Sequence, residues 1–474
     1  MIFTASGTRG IVGRDLTPEF IIPLNLTYGT WLREKNNDKD PKVLIGRDTR
    51  PSGPMLEAGI KHALLATGCE VLSGGICPTP AILHAKKTLN LEGAVIISAS
   101  HNPAEYNGLK FLSPEVPGTF LSTEELEELK AIFTKPGSFH LASWKTANKV
   151  KEIDITTPYL DSIKDFIKPL IKSQVNAKII FDSGAGSSKN ATDLLLKNLG
   201  CNVISINDTL LEKPPFFPRS SEPVKENLGA LSKLVVEESA DLGIGLDCDA
   251  DRIGLCDEKG NILREDIGLA LIMKNLPDLL GESNRLLIVT NVASSLMFED
   301  IAEASGGRVI RTPVGERYLA VKMHELMGKQ KQDPTVAIVG GEGSCGGVII
   351  PEINLARDGT LAATCIVAIM NKREVPISEL VKELTNYHLK KVKINVAGKD
   401  PLKMMEKLSL LHEEGSYERV LNDLRFQGDG WWALIHPSNT EPVIRILVEA
   451  RDEQMADELL KKNENDLLKI IKES

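Results

Sequence analysis

Cysteine is sparse in this chain and its pattern is unpaired. Of 474 residues only seven are cysteine (Cys69, Cys77, Cys201, Cys248, Cys256, Cys345 and Cys365), far apart and with no C-x-x-C pair. Neither a disulfide framework nor a zinc site is expected from such spacing. No uninterrupted apolar run approaches the roughly 18 residues of a membrane-spanning helix. The opening M-I-F-T-A-S-G-T-R-G has no basic stretch followed by an apolar core, so a signal peptide is not expected. A reducing cytoplasm is the expected compartment. Positive charge is also short, since 56 Lys+Arg against 65 Asp+Glu leave a formal charge of −9. Nucleic acid and anionic membrane are therefore not expected as partners. An anionic small substrate would need cations gathered locally in a cleft.

What is present is ordinary globular material, with 42% hydrophobic and 26% charged residues. At about 150 residues per domain, the length suggests three or four domains. Short β-branched runs such as K-V-L-I-G (42–46), G-A-V-I-I-S (93–98), K-I-I-F-D (178–182), N-V-I-S-I (202–206), L-L-I-V-T (286–290), R-V-I-R (308–311) and V-A-I-V-G (336–340) read as buried strands. They alternate with helical stretches, among them 51–68, which has Pro near its start and Gly68 at its end. That alternation predicts α/β units with mixed, mostly parallel sheets. The last hundred residues differ, with strands near 389–395, 430–435 and 443–449 and a closing helix over about 452–472, and read as α+β. The expected blocks are 1–150, 151–256, 257–372 and 373–474. Four prolines in K-P-P-F-F-P-R-S-S-E-P (213–223) make that segment a loop.

The chemistry concentrates in four segments. D-C-D-A-D-R (247–252) follows the strand-like L-G-I-G-L, placing Asp247, Asp249 and Asp251 at or beyond a strand end. Three such carboxylates converge only around a cation, and hard oxygen donors suit Mg²⁺ or Ca²⁺; a solvated acidic turn is the alternative for this segment alone. The D-x-D-x-D opening also suggests an EF-hand, with Glu258 as its twelfth residue, but Arg252 occupies the Gly position and a strand leads in. S-A-S-H-N-P (98–103) puts Ser100 and His101 at a sheet's C-terminal edge, where open α/β sheets keep their ligands. The turn lacks the G-x-S-x-G frame of a hydrolase, and it also reads as a plain strand cap. In G-G-E-G-S-C-G-G (340–347), Glu342 and Ser344 have the groups that bind sugar hydroxyls, and no G-K-[ST] makes it a P-loop. In H-P-S-N-T-E-P-V-I-R (436–445), Ser438, Asn439, Thr440 and Arg445 offer phosphate-binding donors, and the segment alone reads first as a plain turn between two strands. Arg9, Arg47 and Arg50, taken singly, read as surface charges.

Taken together and in order, S-G-T-R-G, G-R-D-T-R, S-A-S-H-N-P, D-C-D-A-D-R, G-E-G-S-C-G and P-S-N-T-E-P resemble the α-D-phosphohexomutase family from Ser6 to Glu449. F-P-R-S-S-E-P-V-K-E-N-L (217–228) is similar to a further family segment. The resemblance implies four domains around a central cleft, each giving one loop. It implies that Ser100 carries a phosphoserine and that Ser100, Asp247, Asp249 and Asp251 hold one Mg²⁺. Arg9, His101, Lys110 and Arg252 match the cationic or proton-handling positions, with Lys110 as general base if its pKa is lowered. Glu342 and Ser344 would read the sugar, bordered by Gly315 and Arg317, and Ser438, Asn439, Thr440 and Arg445 would clamp the phosphate that is not reacting. The implied reaction moves phosphate between carbon 6 and carbon 1 of a phosphosugar through a bisphosphorylated intermediate, with a sugar bisphosphate as activator and the chain as monomer or homodimer.

The loops 340–359 and 311–318 look most like phosphoglucosamine mutases, with phosphomannomutase/phosphoglucomutase next. A non-catalytic sugar-phosphate-binding protein and a Ca²⁺-regulated protein are the competing expectations. Five residues depart from the family's habit, Thr4 and Ala5 among them, where Gly-Thr is customary. Cys248 stands where Gly is usual, and a left-handed backbone there would cost about 1 kcal/mol. His436 stands in place of an Arg, and Gly346 in place of a His.

Overall fold

The structure is a computed structural model describing residues 3–4, 7–37, 39–135, 137–145, 148–280, 285–330, 333, 335–412, 415–438 and 442–473. Four sheets follow one another along the described residues. The first has seven strands in the order Phe3–Thr4, Gly7–Ile11, Tyr106–Phe111, Gly93–Ile97, Lys42–Arg47, Glu70–Ile76 and Val150–Glu152. The last four of these run parallel. The second sheet orders Ile253–Cys256, Leu242–Leu246, Lys178–Asp182 and Asn202–Ile206, and the third Arg308–Thr312, Arg285–Asn291, Val336–Glu342 and Gly347–Ile349. The fourth is wholly antiparallel, from His388–Asn395 through Val443–Ala450, Trp431–Pro437 and Asp423–Gly428 to Glu418–Val420. Mixed, mostly parallel sheets followed by a C-terminal α+β unit are what the sequence pattern led one to expect.

A device repeated three times places the chemistry. In each of the first three sheets a buried parallel strand ends in a short loop, and the chain returns beside it as an antiparallel strand. Gly93–Ile97 returns as Tyr106–Phe111, Leu242–Leu246 as Ile253–Cys256, and Val336–Glu342 as Gly347–Ile349. The three loops so formed contain Ser100, the aspartate triplet and Ser344, with Glu342 closing the strand before its loop. These return strands lie outside the β-branched pattern. In Tyr106–Phe111 position 108 is glycine, where a Cβ would come within 2.7 Å of the Ser98 carbonyl oxygen.

The helix expected over 51–68 runs Gly53–Ala66, and Gly68 with φ 85° ends it in the left-handed region that glycine tolerates. The Gly-rich turn before Thr192–Asn198 presses on the aspartate loop, since a Cβ on Gly186 would lie 2.7 Å from the Cys248 Cα. Packing runs across the expected seams. Val150–Glu152 still pairs in the first sheet, two residues past 150. Ile377, Leu380 and Tyr387, beyond 372, are buried in one core that also takes in Ile179, Leu242, Ile244, Leu269 and Val339. The second and third units thus share a continuous core, and the fourth packs one around Met405, Leu424, Ile435 and Ile446 while its Trp432 and Leu434 join Val292 and Ala293 of the third. Among the described residues no helix is long and apolar enough to cross a membrane.

Candidate active site

Asp247, Asp249 and Asp251 are almost wholly buried, and each presents an oxygen within 4.8 Å of the others. The loop bends through Ala250, whose φ of 60° lets alternate side chains converge. Several separate segments hold this loop. The Cys248 N–H donates to Ser221 Oγ at 2.9 Å, and the Cys248 carbonyl accepts from Ser187 N at 2.8 Å. The Asp249 carbonyl accepts from Thr79 N and the Ala250 carbonyl from Gly359 N, both at 2.9 Å. Asp247 Oδ1 takes the N–H groups of Asp251 and Arg252 at 3.0 and 3.2 Å. Among the described residues, Oδ1 of Asp249 and Oδ1 of Asp251 are buried with no hydrogen-bond partner. Burial, with Asp251 and Asp249 beside it, pushes the Asp247 carboxyl well above its ordinary range. An oxygen-only donor set with two orphaned buried oxygens fits a hard divalent cation such as Mg²⁺. Glu258 instead bonds Ser378, so the EF-hand reading loses its twelfth ligand.

Ser100 lies against this triplet, its Oγ donating to Asp247 Oδ2 at 3.2 Å. Its backbone sits at φ 51°, and its own N–H is held by Ser98 Oγ at 2.9 Å. The loop 100–106 wraps around Arg50, which is fully buried and not the surface charge expected. Arg50 donates to the carbonyls of Ser100 (2.8 Å), Asn102 (2.6 Å), Pro103 (2.5 Å) and Tyr106 (2.9 Å), and Nε to Asp48 at 3.1 Å. Cys248 is not left-handed, so the anticipated strain is absent there. Its thiol instead reaches the Ser100 carbonyl at 2.8 Å and Asp48 Oδ2 at 3.2 Å, tying the two loops together.

Lys110, buried, donates to Asp249 Oδ2 at 2.8 Å. Burial alone would lower its pKa, but Asp249 and Asp251 outweigh it and the net shift is upward. The two carboxylates that raise it are the ones that would hold the cation, so the charge of Lys110 is tied to theirs. His101 behaves oppositely. Burial, then Arg252 and Arg9, lower its pKa to about 3, and its buried Nδ1 has no hydrogen-bond partner among the described residues. Its ring is neutral at pH 7 and only weakly basic. Arg252 bonds Glu222 at 2.7 Å and lies 3.6 Å from Asp251. Arg9 is exposed, its Nη1 3.5 Å from Asn102 Oδ1.

Glu342, at its strand's end, accepts from Asn291 Nδ2 and Gly315 N at 3.2 Å each, and from Arg357 at 2.7 Å. Arg317 is half-buried. Ser344 lines a recess where the third and fourth units meet, beside Arg264, Ser294, Ser295 and Lys391. Gly346 has φ 68°, and a Cβ there would lie 2.3 Å from the Ile253 carbonyl oxygen, so this turn leaves no room for a histidine. Ser438 closes its hairpin through N–H to the Val443 carbonyl at 3.0 Å, and Arg445 pairs across the sheet with His436. His436 Nδ1 is 2.7 Å from Asp423. Asn439 and Thr440 lie outside the described residues. Sequence reasoning had no role for Asp48, Thr79, Ser221, Glu222, Asn291 or Arg357. The segments G-R-D-T-R and F-P-R-S-S-E-P were the signals that contained several of them.

Family comparisons agree along the whole chain. Residues 1–139, 157–260 and 265–387 match the phosphoglucomutase/phosphomannomutase alpha/beta/alpha domains I, II and III, and 394–465 the C-terminal domain. A phosphoglucomutase/phosphomannomutase of Thermococcus kodakarensis is 36% identical over 461 residues, covering 97% of this chain and 96% of the relative. A probable phosphoglucosamine mutase of Pyrococcus horikoshii is 35% identical, covering 99% and 98%. The crystal structure of a phosphoglucomutase/phosphomannomutase family protein from Burkholderia thailandensis superposes with a TM-score of 0.82 at 23% identity, over 99% of this chain and 97% of that one.

Proposed function

The chain belongs to the phosphoglucomutase/phosphomannomutase family, and from that we propose that it is a phosphohexomutase interconverting glucosamine 6-phosphate and glucosamine 1-phosphate. The observation that carries the chemistry is the Ser100 hydroxyl held 3.2 Å from Asp247 in a buried, oxygen-lined metal loop. Asp247, Asp249, Asp251 and Ser100 would hold Mg²⁺, which supplies charge neutralisation and Lewis-acid polarisation of a phosphoryl group.

The residues divide the remaining work. Ser100 carries the phosphoryl group. Its P–O bond breaks as a new one forms to the free sugar hydroxyl, whose proton leaves to a base, giving a sugar bisphosphate. That intermediate turns in the cleft and its other phosphoryl group returns to Ser100. Phosphoryl transfer needs chiefly positioning and charge compensation. Arg9 and Arg252 provide fixed positive charge, and Lys110 is the proposed general base once a cation takes up the negative charge of Asp249 and Asp251, with His101 adjacent to Ser100 in the chain. Glu342, Ser344, Gly315 and Arg317 contact the sugar ring. Ser438, Asn439, Thr440 and Arg445 hold the idle phosphate, with His436 in the same strand ending.

The glucosamine assignment is supported by relatives of about equal similarity bearing that name. A second reading, glucose and mannose phosphates, is favoured by the 36% identical relative. Initial rates on the 6-phosphates of glucosamine, glucose and mannose, primed with the matching bisphosphate, separate them. The proposal expects glucosamine to give the highest kcat/KM, and a tenfold preference for glucose or mannose overturns it.

A further inference from the structure

Arg357 stands where the metal loop and the sugar loop meet, and the reaction above gives it no task. Its Nη2 lies 2.5 Å from Asp251 Oδ2 and its Nη1 2.7 Å from Glu342 Oε2. Its backbone N–H donates to Glu316 Oε1 at 2.8 Å, and the Glu316 carboxylate is also 3.4 Å from Nη2. The side chain is 11% exposed, so these charges meet away from water.

The turn that launches Arg357 is fixed on all sides. Asp358 N–H bonds the Val348 carbonyl, and the Asp358 carboxylate caps the helix Gly359–Arg373 through Leu361 N, both at 2.9 Å. The same carboxylate accepts from the Tyr159 hydroxyl at 2.5 Å, and Gly359 N–H bonds the metal loop itself at Ala250. Room for the side chain comes from Gly347, where a Cβ would lie 2.3 Å from Arg357 Cδ.

We propose that Arg357 is a positioning residue that locks the metal-binding carboxylate of Asp251 and the sugar-reading carboxylate of Glu342 into one geometry. The inference rests on the roles given to those two residues above. On Asp251 it binds one oxygen and leaves Oδ1, which has no hydrogen-bond partner among the described residues, for the ion. On Glu342 it binds Oε2, while Asn291 and Gly315 hold Oε1, so the carboxylate plane is fixed before sugar arrives. A guanidinium fork spans two acceptors at once, and a lysine ammonium of equal charge does not.

The test uses two variants of the full chain. Arg357→Lys keeps the charge and loses the fork. Gly347→Ala leaves Arg357 in the sequence and displaces it, because the crowded atom is part of a flexible side chain. Mn²⁺ binding without sugar is followed by electron paramagnetic resonance, and glucosamine 6-phosphate binding in EDTA by calorimetry, with thermal melts recorded beside both. In both variants the two affinities fall together by about tenfold, the scale of a lost metal-supporting contact, in protein that melts cooperatively. Unchanged affinities, a loss at one ligand alone, or tighter Mn²⁺ binding in a folded variant overturns the proposal. A wild-type chain that binds neither probe overturns the proposed function and this inference with it.

Discussion

Ser100 holds a left-handed backbone at φ 51° in a buried loop, a conformation that L-residues adopt only when their surroundings enforce it. Arg50 does the enforcing, through four carbonyls of residues 100–106 and the carboxylate of Asp48. Arg50→Lys keeps the charge but strands several of those carbonyls. We expect it to cost about 2–4 kcal/mol in urea unfolding, the range for breaking a buried hydrogen-bonded network, and to abolish phosphate uptake by Ser100. An unchanged midpoint would show that the loop holds itself. Residues whose chemistry is contiguous, such as the Asp247–Asp251 triplet and Ser100–His101, were legible in the sequence. Arg50, Ser221 and Arg357 were not, because each acts on a loop tens to more than a hundred positions away. Lys110 was singled out in the sequence, but its ion pair with Asp249, 139 positions away, was not.

At the scale of elements, the β-branched strands announced themselves, and the antiparallel return strands did not. Tyr106–Phe111 and Gly347–Ile349 carry glycines where neighbouring backbone or Arg357 approaches too closely for a side chain, and those glycines hide the strand pattern. The helix Gly359–Arg373 is buried along most of its length, so its cap matters more than a surface cap would. Burial pushes the Asp358 carboxyl up to about 6 from an ordinary 3.8, against the hydrogen bonds from Tyr159 and Leu361 N. The folded state therefore binds a proton that the unfolded chain has released between about pH 4 and 6, and this group's contribution to stability falls as pH rises through that window. Asp358→Asn removes the titration. The difference in melting temperature between wild type and this variant is expected to shift in the variant's favour from pH 4 to 6.5, and a flat difference would contradict the assignment.

At the scale of the molecule, the second and third units share one core, and the fourth has its own beside a smaller cluster it shares with the third. The count of four units and the α/β character were readable from strand–helix alternation, but the shared core was not, because nothing in a periodicity says which faces meet. That sharing gives the metal loop and the sugar loop a common foundation, and Thr79, at the start of a helix of the first unit, bonds Asp249 Oδ2 at 3.0 Å. Three loops from three sheets are thereby brought to one point before any ligand arrives. The most direct test of that convergence is the mass of the intact protein after incubation with glucose 1,6-bisphosphate and Mg²⁺. The account predicts one added phosphoryl group, mapped to Ser100, absent in Ser100→Ala and absent when EDTA replaces Mg²⁺. No added phosphate, or phosphate that persists in Ser100→Ala, would contradict it.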